Sequence, residues 1–319
     1  MNISLWNNLD TQKRKYHNGG QKKNDRESEA YVMDIRFEKR EHLKEKPDQK
    51  HLGFGKYMTD YMFVMDWTKE EGWKDARIVP EGPITMDPAC VTLHYAQETF
   101  EGMKAYRTAE GKIQLFRPEM NAKRMINSNA RLCMPEFPVD MFVEAVKALV
   151  KVEEDWVPSE PETSLYIRPF MFATEAALGV HMASAYKFMI ICCPVGAYYA
   201  EGINPVKILV EDELVRAVKG GTGFTKCGGN YAGSILGQVK AEKMGYSQVL
   251  WLDGEHRKYV EEVGTMNIMF KIAGEIYTAP IEGTVLPGVT RDSMIHLLRD
   301  WGYKVNETRL SVDDLMKAG

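Results

Sequence analysis

The chain has 319 residues, 44% hydrophobic and 27% charged, with a net charge of −4 and a pI near 6.0. That is ordinary for a globular protein with room for two core-bearing domains, and it exerts no global pull toward nucleic acid or an anionic membrane. No apolar run approaches the ~20 residues of a membrane span, and five cysteines without a C-x-x-C pair or a secretory h-region fit reduced thiols in a cytoplasmic setting.

Residues 1–45 are polar and charged, with basic clusters around Lys13 and Lys22 flanking Gly19-Gly20, and read as a disordered tail. A small α/β domain is expected over 46–195. It opens with a strand over 61–67. Arg117-Pro118 starts a helical run through Met125, Ile126 and Leu132, and Pro138 starts another through Phe142, Val146 and Leu149. Strands are expected over 165–172 and 188–193, the second ending at Pro194.

Pro194-Val195-Gly196-Ala197 breaks the pattern, and 196–206 is expected to connect to a larger domain over 207–319. Strands follow over 206–210 and 248–252, around a helix over 231–243 stopped by Gly245. Asp253-Gly254 signals a hairpin turn. A strand pair is expected over 267–272 and 276–279, and Leu286-Pro287-Gly288 leads into a helix through Met294, Leu298 and Trp301. Ser311-Val312-Asp313-Asp314 resembles a capping box with only five residues after it, so either a short terminal turn or an incomplete sequence is expected. Strands and helices without a regular βαβ beat predict an α+β fold.

The densest chemical signal is Lys226, which lies between two glycine clusters in 220–230, with Tyr231 five residues on. Glycine permits close approach to the main chain, and a shielded ammonium loses its proton more easily and becomes a nucleophile. Glu261-Glu262 stands before a glycine turn at Gly264. Pro287-Gly288 precedes a helix whose first amides, Val289 and Thr290, form an anion site by geometry and dipole. A phosphate-bearing aldehyde cofactor needs this set: an amine, an acid for a ring nitrogen, a donor for a ring hydroxyl and a phosphate site. Each signal has an ordinary alternative: a solvated loop lysine, an exposed hairpin acid, a plain turn glycine. The seven histidines are scattered and none stands at zinc-ligand spacing with another histidine or a cysteine, so no metal site is expected.

Ordered blocks from residue 43 onward resemble the branched-chain amino acid aminotransferases of the class IV pyridoxal-phosphate-dependent family. They include Phe100-Glu101-Gly102-Met103-Lys104-Ala105-Tyr106, Leu115-Phe116-Arg117-Pro118, Leu165-Tyr166-Ile167-Arg168-Pro169, Lys226-Cys227-Gly228-Gly229-Asn230-Tyr231, Glu262-Val263-Gly264-Thr265-Met266-Asn267 and Leu286-Pro287-Gly288-Val289-Thr290-Arg291. The resemblance implies the two-domain arrangement of D-amino-acid aminotransferase (fold type IV), pyridoxal 5'-phosphate as cofactor, and transamination between leucine, isoleucine or valine and 2-oxoglutarate through an imine at Lys226. It implies cofactor contacts from Arg117, Arg216, Tyr231, Glu262, Thr265, Val289 and Thr290. Phe54, Tyr95, Phe100, Tyr166, Tyr198 and Thr265 would line the substrate pocket, with Arg168 for the distal carboxylate of 2-oxoglutarate or glutamate.

A homodimer is implied, with the small domain of one subunit contributing to the other's site. The family runs on past the position of Gly319 through a loop of Gly-Thr-Ala type, so the large domain is expected to be incomplete. The alternatives left open are a D-amino-acid aminotransferase, an aminodeoxychorismate lyase of the same fold, and an inactive fragment. Arg216 could equally serve a surface salt bridge, and the aromatic set could be core packing.

Overall fold

The computed structural model describes residues 33–197 and 204–318. Eight strands come first in the chain: Arg36–Phe37 (β1), Tyr61–Thr68 (β2), Gly72–Pro80 (β3), Glu98–Phe100 (β4), Met103–Arg107 (β5), Ile113–Leu115 (β6), Ser164–Ala173 (β7) and Ala185–Val195 (β8). A short helix, Val91–Tyr95 (α1), precedes β4, and two longer ones, Pro118–Arg131 (α2) and Val139–Val152 (α3), stand between β6 and β7. The strands form one sheet in the order β1-β3-β2-β8-β7-β5-β6, with β4 also on β7.

The core of this half lies between the sheet and its helices. α3 turns Met141, Phe142, Ala145, Val146, Leu149 and Val150 inward, the stripe a helix of period 3.6 presents to a core. Phe142 meets Phe188 of β8 at a ring separation of 5.9 Å, and Phe137 stacks on the same ring at 3.9 Å.

The remaining elements are Ile208–Glu211 (β9), Gly228–Lys243 (α4), Gln248–Leu252 (β10), Val260–Val263 (β11), Phe270–Ile272 (β12), Glu275–Thr278 (β13), Val289–Asp300 (α5), Val305–Glu307 (β14) and Val312–Ala318 (α6). They make two three-stranded sheets, β11-β10-β9 and β12-β13-β14. Trp251 of β10 is buried and donates its indole N–H to the carbonyl of Gly264 at 3.1 Å, which fixes the turn after β11. No helix among the described residues is long and apolar enough to cross a membrane.

The α+β expectation agrees with this architecture. The tail expectation is corrected for its described part, residues 33–45. Polar composition hid a set of tethers: β1 pairs with β3, the Met33 amide donates to Glu144, and Arg40 donates to the carbonyls of Asp60 and Glu81. Residues 1–32 lie outside the described residues. β3 was missed because Lys74, Asp75 and Arg77 interrupt its apolar pattern, and Arg77 lies at 2.7 Å from Asp66 and 2.8 Å from Asp75. The break expected at Pro194 falls inside β8. The ladder to β2 ends at Ile190, so a missing N–H beyond it costs no bond on that side.

Candidate functional site

Lys226 is pinned by groups far from it in sequence. Its amide donates to Ser128 Oγ of α2 at 3.0 Å, and its carbonyl accepts the Phe100 amide of β4 at 3.0 Å. Gly228 packs on the Glu98 carboxylate, where a Cβ would collide, and its amide donates to that group. With its main chain held, the side chain extends so that Nζ donates to Tyr231 Oη at 2.8 Å and lies 4.7 Å from the Phe100 ring centroid. Burial lowers the Lys226 pKa to about 8. The guanidiniums of Arg124 and Arg168 push it the same way, against Glu101 and Glu262. Burial raises the Tyr231 phenol well above its usual value, so it stays protonated.

Glu262, in β11, is 3% exposed. Its Oε2 lies 2.8 Å from Arg216 Nε, and its Oε1 accepts Asn267 Nδ2 and the Leu286 amide, both at 3.0 Å. Burial raises its pKa to about 7 against the opposing pull of Arg216 and the amide. Arg216 is itself held by the carbonyls of Gly223 and Thr284. Glu262 stands in β11 just before the Gly264 turn; it is not an exposed hairpin acid, and its pairing with Arg216 is buried rather than on the surface. Tyr231, Glu262, Thr265, Arg216 and Leu286 line a cleft of about 300 Å³ including its open mouth.

The start of α5 faces this region. Gly288 caps it without a side-chain bond, leaving the Val289 and Thr290 amides for another acceptor. A Cβ at Gly288 would collide with Asn267 Oδ1, so glycine here keeps Asn267 on Glu262. Arg117 is corrected. It sits at the N-cap of α2 and is engaged on the outer flank of α5, at 2.7 Å from Asp292 Oδ2 and 2.5 Å from Ser293 Oγ.

The guanidinium common to the surroundings of Lys226 and Tyr231 is that of Arg124, which sequence reasoning missed. Asn121, Arg124 and Ser128 lie on one stripe of α2 (i, i+3, i+7). Arg124 forms a bidentate pair with the fully buried Glu101 at 2.7 and 2.8 Å and donates to the Pro287 carbonyl at 3.2 Å, just before α5. The signal that could have found it is the i, i+3 spacing to Asn121 after Arg117-Pro118.

On the substrate side, Tyr166 and Arg168 share one face of β7, and Arg168 Nη2 donates to Tyr166 Oη at 2.7 Å. The Phe100 ring lies 4.6 Å from the Arg168 guanidinium and 4.8 Å from the Tyr231 ring. Phe54 meets Tyr166 at 4.9 Å. Thr265 is exposed at the cleft edge. Tyr95 stands apart from this group: it is 40% exposed at the end of α1, beside His94. Tyr198 lies outside the described residues.

Comparison with known proteins places these residues in a family. Residues 98–319 match the family described as amino-transferase class IV. The chain is 52% identical over 284 residues to branched-chain-amino-acid aminotransferase 2 of Bacillus subtilis, covering 89% of this chain and 78% of that protein. It is 48% identical to the branched-chain-amino-acid aminotransferase of Mycolicibacterium smegmatis, over 83% of this chain and 73% of that one. Among solved structures it resembles the branched-chain amino acid aminotransferase of Escherichia coli (TM-score 0.68, 27% identity, 80% and 79% covered). It also resembles that of Thermobaculum terrenum in its PLP-form (TM-score 0.64, 26% identity, 79% and 77% covered).

Proposed function

The chain belongs to the class IV amino-transferase family, among its branched-chain-amino-acid aminotransferases, and from that premise we propose that it moves the amino group between leucine, isoleucine or valine and 2-oxoglutarate with pyridoxal 5'-phosphate as cofactor. The observation that carries this reading is Lys226: an amine with a pKa lowered to about 8, aimed at Tyr231 and within the field of the buried Glu262.

The residues fit the cofactor. The Thr225 hydroxyl is enclosed at the cleft wall without a partner, the α5 amides have no side-chain cap, and Glu262 is a buried carboxylate. When bound, pyridoxal 5'-phosphate supplies an aldehyde that takes up amines and a ring that withdraws electrons from the substrate Cα. In this reading Lys226 Nζ would be the nucleophilic amine and the group that holds and returns the substrate proton. Glu262 holds a protonated ring nitrogen, and Arg216 favours the ionised form of Glu262. Tyr231 Oη donates to the ring hydroxyl. The Val289 and Thr290 amides hold the phosphate with Arg124, which takes the place the sequence reading gave Arg117.

Phe54, Phe100 and Tyr166 wall the apolar side-chain pocket, Thr265 closes its edge, and Arg168 receives the distal carboxylate of the second substrate. In this reading a smaller domain ending near residue 195 brings Phe100, Arg124 and Arg168 to Lys226, and a cofactor-binding domain from about 207 supplies the residues that line the cleft. A homodimer accounts for Tyr95. Leu93, Tyr95, Leu178, Val180 and Met182 are exposed on adjoining segments, tied by the Val91 amide to Glu175 and the Ala177 amide to Ala89. A second copy covering this face would take Tyr95 to its own cleft. Five unpaired thiols suit a cytoplasmic protein.

The test is turnover by protein loaded with pyridoxal 5'-phosphate. L-Leucine with 2-oxoglutarate is expected to yield glutamate, and D-alanine to yield none. Turnover of D-alanine but not L-leucine, or of neither, overturns the reading.

A further inference from the structure

Behind β11 lies a second cavity, about 500 Å³ including its open mouth. Consecutive strand residues point to opposite faces. Glu262 therefore lines the cofactor cleft, and its neighbour Glu261 lines the second cavity. Glu261 is 8% exposed, and its Oε2 is enclosed without any hydrogen-bond partner. A buried carboxylate oxygen with nothing to accept from is costly and calls for a donor. The side chain's hydrogen-bond partner on the protein side is Thr284.

The cavity's charges favour a cation. Asp253, Glu255, Glu261 and Glu282 line it, against Lys219 and Arg309. Arg309 is committed to Glu282 at 3.0 Å. Asp253 keeps its charge, with its pKa lowered to about 2 by the amides of Tyr259, Lys258 and His256, so its oxygens are already used. Glu261 Oε2 is thus the acceptor left for a ligand. The wall beside it is aliphatic, from Ala279, Pro280 and Val285.

The geometry points to a binding site for a small aliphatic molecule bearing a primary ammonium group, which donates to Glu261 Oε2 while its hydrocarbon part lies on Ala279, Pro280 and Val285. Burial raises the Glu261 pKa, and an ammonium favours the ionised carboxylate, so binding is coupled to proton release wherever the empty site is partly protonated. None of the residues that line this second cavity lines the cofactor cleft, so the proposal stands apart from the transaminase reading.

The probe is n-butylammonium, titrated calorimetrically into holoenzyme whose Lys226 has been fixed by borohydride reduction, in buffers of different ionisation enthalpy. Saturable one-to-one binding is expected, with proton release at mildly acidic pH that fades as pH rises. E261Q is expected to weaken binding at least tenfold and to abolish the release. No saturable binding, equal affinity in a folded E261Q, or preference for butyrate with proton uptake overturns the proposal. The wild-type titration decides the matter by itself should E261Q not fold.

Discussion

The amide of Phe100 donates to the carbonyl of Lys226 at 3.0 Å, and the Phe100 ring lies 4.7 Å from the Lys226 ammonium. One residue of β4 thus sets both where the lysine main chain runs and what its charged end meets. The ring helps exclude water from an amine that the proposed role requires to be uncharged part of the time, and the backbone bond stops the chain from drifting away to solvate it.

Lys226→Met removes a buried ammonium. A folded-state pKa of about 8, below the usual 10.5, costs stability in full below pH 8, and the cost is relieved as pH rises from 8 toward 10.5. K226M should abolish transamination. It should also raise the melting temperature of the cofactor-free protein at pH 7 by about 2–4 °C, the shift that ~1 kcal/mol gives in a chain of this size. That gain should shrink above pH 8. Thermal unfolding across pH checks this; a variant that melts lower at every pH contradicts it.

Arg216→Met takes away the cation that holds down the Glu262 pKa, which burial has already raised to about 7. The ionised fraction below the pKa falls about tenfold for each unit of further rise. Activity at pH 7 should therefore drop roughly tenfold or more, and the acidic limb of the pH–rate profile should move to higher pH, with partial recovery near pH 8.5. A uniform loss at all pH values would mean that Arg216 acts in some other way.

The two arginines of the α2 region should separate. Arg124→Met strands the buried carboxylate of Glu101 and should cost about 3–5 kcal/mol in urea unfolding. Arg117→Met breaks a half-exposed pair with Asp292 and should cost about 0.2–1 kcal/mol. Glu101→Gln with Arg124→Met should regain much of the stability but not the affinity for pyridoxal 5'-phosphate. If R117M loses more cofactor affinity than R124M, the phosphate contact belongs to Arg117 after all.

Gly288→Ala puts a methyl group onto Asn267 Oδ1 and so disturbs the residue that donates to Glu262 and to the Leu286 carbonyl. Overpacking of this kind costs about 1–3 kcal/mol, and cofactor retention on dialysis should fall. Removing the clash with Asn267→Gly in the same chain should restore stability while leaving retention weak. Equal recovery of both would show that Asn267 does not support Glu262 in holding the cofactor.

Arg168→Met should discriminate between the two half-reactions. Loss of a charge-assisted contact of about 1.5–3 kcal/mol corresponds to a rise of roughly 10- to 150-fold in KM for glutamate and 2-oxoglutarate. The KM for leucine should change by less than about threefold, because an apolar side chain makes no ion pair. Steady-state kinetics on both substrate pairs read this directly, and parallel increases would assign Arg168 a general structural role.

Local segments of the sequence carried much of the fold. The apolar stripe of α3, the buried strand β8 and the glycine-stopped α4 were legible because their periodicity lies within a dozen contiguous residues. β3 was not, because its charged residues are satisfied across the sheet by Asp66 and, within the strand, by Asp75. The attachment of residues 33–45 was hidden for the same reason: backbone groups and long polar side chains bond to carbonyls elsewhere, and composition does not reveal that.

At the site, the sequence by itself singled out the groups to which the proposal gives the chemistry. Lys226, Tyr231, Glu262 and the amides at Val289 and Thr290 each sit in a short segment whose glycines announce close approach. Only the tertiary structure decided which cations face them. Arg117 and Arg124 lie seven residues apart, and a local reading cannot tell them apart. One is drawn outward by Asp292, 175 residues away; the other is drawn inward by Glu101, 23 residues away. Coulomb energy and desolvation depend on distance and burial in three dimensions. The lowered pKa of Lys226 is therefore a property of the folded neighbourhood of Phe100, Arg124 and Arg168, which the Gly-rich loop could only make room for.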